Sequence, residues 1–298
     1  MSKTVEAWGL DIAQGRWAQV RLQKQAKRTQ LAGHEVRDFA NRKLPGSIHV
    51  VIDVPIGLLS DERAARCPQG ISGGREVDAG ARKWCLVPGS VFSPPTQGQL
   101  RSGLQELRRA RAAGTRPDLK RVSPGGLSHQ CLNILPAIDS ASRLKARGRT
   151  RVHESHPEVA FAAMTGWIPP AKKSLLTGLL LRVALLERHL EIEGLLKSVL
   201  DMESETGIRA ADWVDALAMA AVALDWATGA SRQVLRTADG RISTLRRAWE
   251  PAIALPRTHT EVPPPRGGGD QREARALLEE YLAGASLGGT MRAAAGRR

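Results

Sequence analysis

Four aspartates carry the clearest chemistry in this chain. Asp53 ends the β-branched run Ile48-His49-Val50-Val51-Ile52, and Pro55 and Gly57 follow it. Pro and Gly stop a strand. Asp53 therefore sits at the C-terminal end of a strand that reads as buried on both faces, where open α/β sheets place their chemistry. An Asp there also suits the cap of the next turn, and the strand alone does not choose between the two. Asp11 lies near the end of a second apolar run, Val5 to Ile12. Asp212 and Asp215 stand three residues apart in Ala211-Asp212-Trp213-Val214-Asp215-Ala216-Leu217. On a helix that spacing puts both on one face. The plain alternative is a helix start, with Asp212 as N-cap and Asp215 in a capping-box position. Taken together, the acids point further. Converging carboxylates repel one another unless a cation lies between them. Hard oxygen ligands select Mg²⁺ or Mn²⁺, and two such ions can drive phosphodiester cleavage.

The elements that must position these acids can be read along the chain. Val5–Ile12 and the alternating Trp17–Leu22 form a hairpin across the turn Ala13–Arg16. A third strand is predicted from about Gln30 to Asp38, followed by at most a turn or two of helix before Pro45, and then by the Asp53 strand. From Ser60 to about Gly148 helical stretches alternate with Gly/Pro loops, which reads as an insertion after the central strand. It holds predicted helices over 75–86, 100–113 and 127–146, the last interrupted at Pro136. Its Arg116–Gly126 segment reads as a basic loop. Arg151–His156 returns to a strand, with Pro157 opening a helix that ends near Gly166. Lys173–Leu200 predicts one long amphipathic helix, and Ala210–Thr228 a very apolar one closed by Gly229. A last short strand is predicted within 248–255. This divides the chain into a domain over 1–256 and a Pro/Gly/Arg-rich tail over 257–298, with one small helix at 271–283.

Composition sets outer limits. The 298 residues suffice for a sizeable core, and 44 Lys+Arg against 30 Asp+Glu give a net charge of +14. Such charge favours a nucleic-acid partner, DNA or RNA; a GC-rich genome gives the same Arg-rich composition. No run has the roughly 18 apolar residues a membrane span needs, and Met1–Ala7 lacks a signal-peptide core, so a cytoplasmic protein is expected. Cys67, Cys85 and Cys131 are scattered, with no CxxC pair. They read as reduced thiols, without a base in sequence to make one a nucleophile.

Several motifs, taken in order, resemble a family of uncharacterised bacterial and archaeal proteins described as predicted nucleases of RNase H-like fold. They are WGLDIAQGRWAQVRL, VVIDVPIGL, REVDAGARKWCLVPGSVFSPP, LSHQCLNILPAIDSAS, RVHESHPEVAFAAMTG and ADWVDALAMAAVAL. The likeness runs from about Val5 to Leu255. It implies an α/β fold with an RNase H-like mixed five-stranded sheet, flanked by helices, with the helical insertion after the central strand. In such a sheet the Asp11 and Asp53 strands are neighbours and the late helix brings up Asp215. The resemblance implies a nuclease, with Asp11, Asp53 and Asp215 on one or two Mg²⁺ or Mn²⁺ ions, Asp212 as a fourth acid, and basic surfaces of the insertion holding the backbone. Glu154 is then a candidate outer ligand, and His156 a contact to phosphate or a positioner of water. A strand-to-helix turn explains the same segment, with Glu158 favoured by the helix dipole. Lys172 and Lys173 either bind phosphate or are simply solvated. Arg75 and Asp78 read as a salt bridge, and Ser128 and Gln130 face the site only by resemblance. Two other classes stay open. One is a non-catalytic nucleic-acid or protein-binding module on the same fold. The other is a nucleotide phosphotransferase of the actin-like superfamily, although the turn Ala13–Arg16 holds a single Gly and no second copy of the fold is visible.

Overall fold

The computed structural model describes residues 4–39, 48–67, 75, 77–78, 82, 93–124, 127–146, 151–164, 173–229, 232–233 and 254–255. Three long strands, β1 (Thr4–Ala13), β2 (Arg16–Gln25) and β3 (Arg28–Arg37), form an antiparallel meander. Two short strands, β4 (His49–Ile52) and β5 (Arg151–Glu154), join it in parallel. The sheet order is β3-β2-β1-β4-β5. This is a mixed five-stranded α/β sheet flanked by helices, compatible with the RNase H-like description; the helical insertion follows β4, which lies between β1 and β5, while β1 is the central strand. A two-residue ladder pairs Arg232–Gln233 (β6) with Ala254–Leu255 (β7).

Strand alternation divides the core in two. Ala7, Ala13, Ala18, Val20, Leu22 and Val51 face one side. They meet α7 (Ala210–Ala227), which is so apolar that it can only be interior. Two more helices, α5 (Leu176–Leu190) and α6 (Leu195–Thr206), back α7. Trp8, Leu10, Trp17, Val50 and Ile52 face the other side. Against them packs α3 (His129–Ala146), part of the insertion with α1 (Asp61–Ala65) and α2 (Gln97–Ala112). A helix α4 (Pro157–Met164) follows β5.

Three expectations change. The helix expected over 173–200 is two helices, because Glu191 and Gly194 adopt left-handed backbone, at φ 54° and 75°, and end the run. Conversely, α3 runs through Pro136. Leu132, Leu135, Ile138 and Ala141, all buried against the sheet, hold it on both sides of the missing hydrogen bond. The third strand begins at Arg28, two residues before the predicted start. The short helix before Pro45, the helix over 75–86 as a whole and the tail after 256 lie outside the described residues.

Candidate functional site

Pleating explains how the acids meet. Ala7, Gly9, Asp11 and Ala13 alternate onto one face of β1, and α7 lies on that face. The approach is closest at Gly9, where a Cβ would fall 2.1 Å from both Ala216 O and Ala220 N. Only the absent side chain lets helix backbone rest on strand backbone. Two residues on, Asp11 reaches the first turns of α7, which carry Asp212 and Asp215. Asp53 arrives through register. Leu10 pairs with Ile52, and the Asp53 N–H continues the ladder to Leu10 O at 3.0 Å. Asp53 follows Val51 in alternation, so it shares the face of Asp11. The Gln14 amide donates to Gly207 O at 2.9 Å and ties the β1–β2 turn to the chain just before α7.

The cluster is acidic, buried and held by specific cations. Asp11, Asp212 and Asp215 are buried and Asp53 is half-buried. Lys173 Nζ donates a short hydrogen bond to Asp215 Oδ2. Arg182, fully buried, makes bonds of 2.8 and 2.9 Å to both oxygens of Glu158 and stands 3.9 Å from Asp215 Oδ1. Its guanidinium also lies over the Phe161 ring at 4.7 Å. Arg209 holds Asp212 with two bonds of 3.2 Å. Counted as ionised, five carboxylates (Asp11, Asp53, Glu158, Asp212, Asp215) face Lys173, Arg182 and Arg209, a formal excess of two negative charges, with His156 beside Asp53.

The electrostatics record that surplus. Burial lifts the Asp11 carboxyl well above its ordinary 3.8, and Asp53 and Asp215 add repulsion that Lys173 only partly offsets. Burial lifts Asp53 as well, opposed by His156 and Lys173 and reinforced by Asp215 and Glu158. Burial alone would lower the Lys173 ammonium, but Asp215, Asp11 and Asp53 hold its proton more firmly than water does. Asp215 Oδ1 is buried without a hydrogen bond.

The other predicted residues fall in different places. Lys173 is in the cluster rather than simply solvated. Lys172 lies outside the described residues. His156 neighbours Asp53, and its Nδ1 accepts the Glu158 N–H at 3.2 Å. Glu154 points the other way. It pairs in register with Ile52, which faces α3, so its carboxylate leaves the sheet opposite the aspartates. There it is gripped by Arg75 and accepts the Ile56 N–H at 2.6 Å. Arg75 also binds Asp78 and the Ile56 carbonyl, so the expected Arg75–Asp78 pair is present within a larger buried network. Ser128 caps α3 by accepting the Cys131 N–H, and Ser128 and Gln130 are exposed. Asp212 is not an N-cap: Arg209 holds that position, and Asp212 lies in the first turn. Sequence reasoning passed over Arg209 and, deeper in the site, Arg182. Its signal was a lone charge within Leu179-Leu180-Leu181-Arg182-Val183-Ala184-Leu185-Leu186, since a buried charge requires partners.

Among the described residues, no three His, Cys, Asp or Glu side chains are arranged to hold a metal ion as they stand. The cation within the acids is the Lys173 ammonium. The donor set nonetheless suits a divalent ion: hard oxygens, negative charge in excess, and one buried Asp215 oxygen without a hydrogen bond. Asp11, Asp53 and Asp215 are the residues that could hold it. No helix among the described residues is long and apolar enough to cross a membrane. A family model described as a protein of unknown function, DUF429, matches residues 9–239. No curated protein and no solved structure matches the chain.

Proposed function

The chain belongs to that family of unknown function, so its chemistry has to be read from the site, and we propose that it is a metal-dependent phosphodiesterase acting on nucleic acid. The observation that carries this reading is the buried convergence of Asp11, Asp53 and Asp215 with more negative charge than its cations neutralise. These three would hold Mg²⁺ or Mn²⁺, with Asp212 as a fourth acid behind them. Such an ion supplies Lewis acidity, acidifying a water and neutralising charge on the leaving oxygen. The chain's own residues do the rest. Arg182 braces Glu158 and Asp215, fixing α4 against α7. Lys173, on a turn at the rim with a side chain 45% exposed, reaches a phosphate oxygen when it leaves Asp215. His156, beside Asp53, contacts the phosphate or orients the water. Glu154 belongs to the Arg75 network and takes no part in the chemistry.

One observation favours a second reading, a non-catalytic module on the same fold: Lys173 already neutralises Asp215. The test compares the parent with Asp53→Asn in Mn²⁺ on single-stranded, duplex and branched DNA and RNA. Cleavage by the parent and its loss in the variant are expected. Equal activity in both overturns the assignment. Absence of cleavage together with absence of Mn²⁺ binding selects the module.

A further inference from the structure

We propose that the exposed arginine row of α2 forms a cationic platform that docks the phosphate backbone of a nucleic acid, with the 3₁₀ turn after it (Leu119–Arg121) bracing the helix from the opposite side. The partner rests on the reading of the acidic site as one for phosphodiesters; the surface itself needs no chemistry to bind. Residues 97–124 hold seven Arg and Lys against two acids, a local charge of +5. Both acids are spent on bracing the scaffold. Glu106 holds Arg109 through two bonds of 2.7 Å, and its Oε1 also accepts the Asp118 N–H at 2.7 Å. These bonds drop the Glu106 carboxyl to about 2. Asp118 pairs with Arg121 and accepts the Lys120 N–H. Gln99 reaches Pro124 O at 2.6 Å, and Ser102 bonds to both backbone groups of Ser123. The turn is thereby laid back along the helix and fixed.

Five cations remain: Arg101, Arg108 and Arg111 on the helix face turned away from the 3₁₀ turn, and Arg116 and Lys120 on the segment that carries the turn. All are exposed, and none has an acidic partner among the described residues. At 3.6 residues per turn, Arg101, Arg108 and Arg111 fall within an arc of about 80°. The buried stripe Gln99, Gly103, Glu106 and Ala110 lies on the other side of the helix. The three arginines span about 15 Å of helix rise, a row rather than a point. All three are Arg, whose planar fork suits phosphate oxygens. The large exposed apolar residues of the described chain are Leu175, Leu176 and Leu200, all away from this platform. A membrane-binding face joins apolar residues to its charge, and this one has charge alone. Backbone recognition of nucleic acid needs only charge and geometry.

The test is fluorescence anisotropy of labelled single-stranded RNA, single-stranded DNA and duplex DNA against the full chain in EDTA, over a range of salt. Arg108→Glu/Arg111→Glu is compared with the parent. Both arginines are exposed, so an unchanged melting temperature certifies the fold. The expected result is binding that weakens steeply with salt. The double variant should bind at least about tenfold more weakly, with a log–log salt slope smaller by about 2 on duplex DNA. Asp53→Asn is read for cleavage alone. Parental affinity and slope in the double variant overturn the platform, as does equally tight, platform-dependent binding to anionic phosphatidylserine vesicles. If Asp53→Asn cleaves like the parent while the double variant loses binding, the phosphodiesterase reading falls and the platform stands.

Discussion

Replacing Lys173 by Met removes the ammonium that hydrogen-bonds Asp215 and that Asp11 and Asp53 also feel. Asp215 is 1% exposed, so its charge would be left in a site that water hardly reaches. Stripping one partner from a fully buried pair costs about 3–5 kcal/mol, whereas an exposed pair contributes about 1 kcal/mol or less. The Lys173 side chain is 45% exposed, and solvent screening places the loss between these limits, at about 2 kcal/mol. For a chain of this size that corresponds to a fall of about 5 °C in Tm. The assay is calorimetric melting in EDTA and then in Mn²⁺. A cation that takes the place of the ammonium should restore what was lost, since a ligand at a hundred times its Kd adds about 2.7 kcal/mol. Titration calorimetry should show Mn²⁺ bound more tightly by Lys173→Met than by the parent, because the competing charge is gone. An unchanged melting temperature in EDTA would show that Lys173 does not compensate the acids. Equal or weaker Mn²⁺ affinity would show that it does not compete for them.

Two further outcomes follow from the geometry. Gly9→Ala places a Cβ 2.1 Å from helix backbone on two atoms, which no rotamer change relieves. It should cost about 3 kcal/mol or more, at or above the top of the usual overpacking range, and weaken Mn²⁺ binding as α7 is pushed from β1; denaturant unfolding within 1 kcal/mol of the parent would refute the close contact. Asp11 and Asp53 titrate higher in the fold than their ordinary 3.8, so the folded state binds the extra protons and their contribution to stability is lost as pH rises above that value toward their folded values. Melting of the metal-free protein should therefore show this loss, and Asp11→Asn should reduce it; no difference between parent and variant across that window would contradict the burial of these charges.

Much of the site was legible because strand ends and helical spacing are local signals. Asp53 closes an apolar strand before Pro55, and Asp212 and Asp215 share a helical face, so their meeting with Asp11 needed only the sheet order. Glu154 shows the limit of such reading. A period of two says that a strand has two faces, but pairing with Ile52 decides which one Glu154 takes, and pairing is not local. Arg182 and Glu158 lie 24 residues apart, and only the packing of α4 on α5 joins them. The division of the long helix was marked by Gly194, read as part of an amphipathic run, whereas the left-handed turn at Glu191 has no sequence signal as strong. Pro136 misled in the opposite sense, since tertiary packing outweighs one lost helical hydrogen bond.

The most direct measurement is anomalous diffraction from crystals of the full chain soaked in Mn²⁺. The expected result is an anomalous peak ligated by Asp11, Asp53 and Asp215, with the Lys173 ammonium displaced from Asp215. Crystals that show no peak there, with Lys173 still bonded to Asp215 at saturating Mn²⁺, would contradict a metal-dependent site.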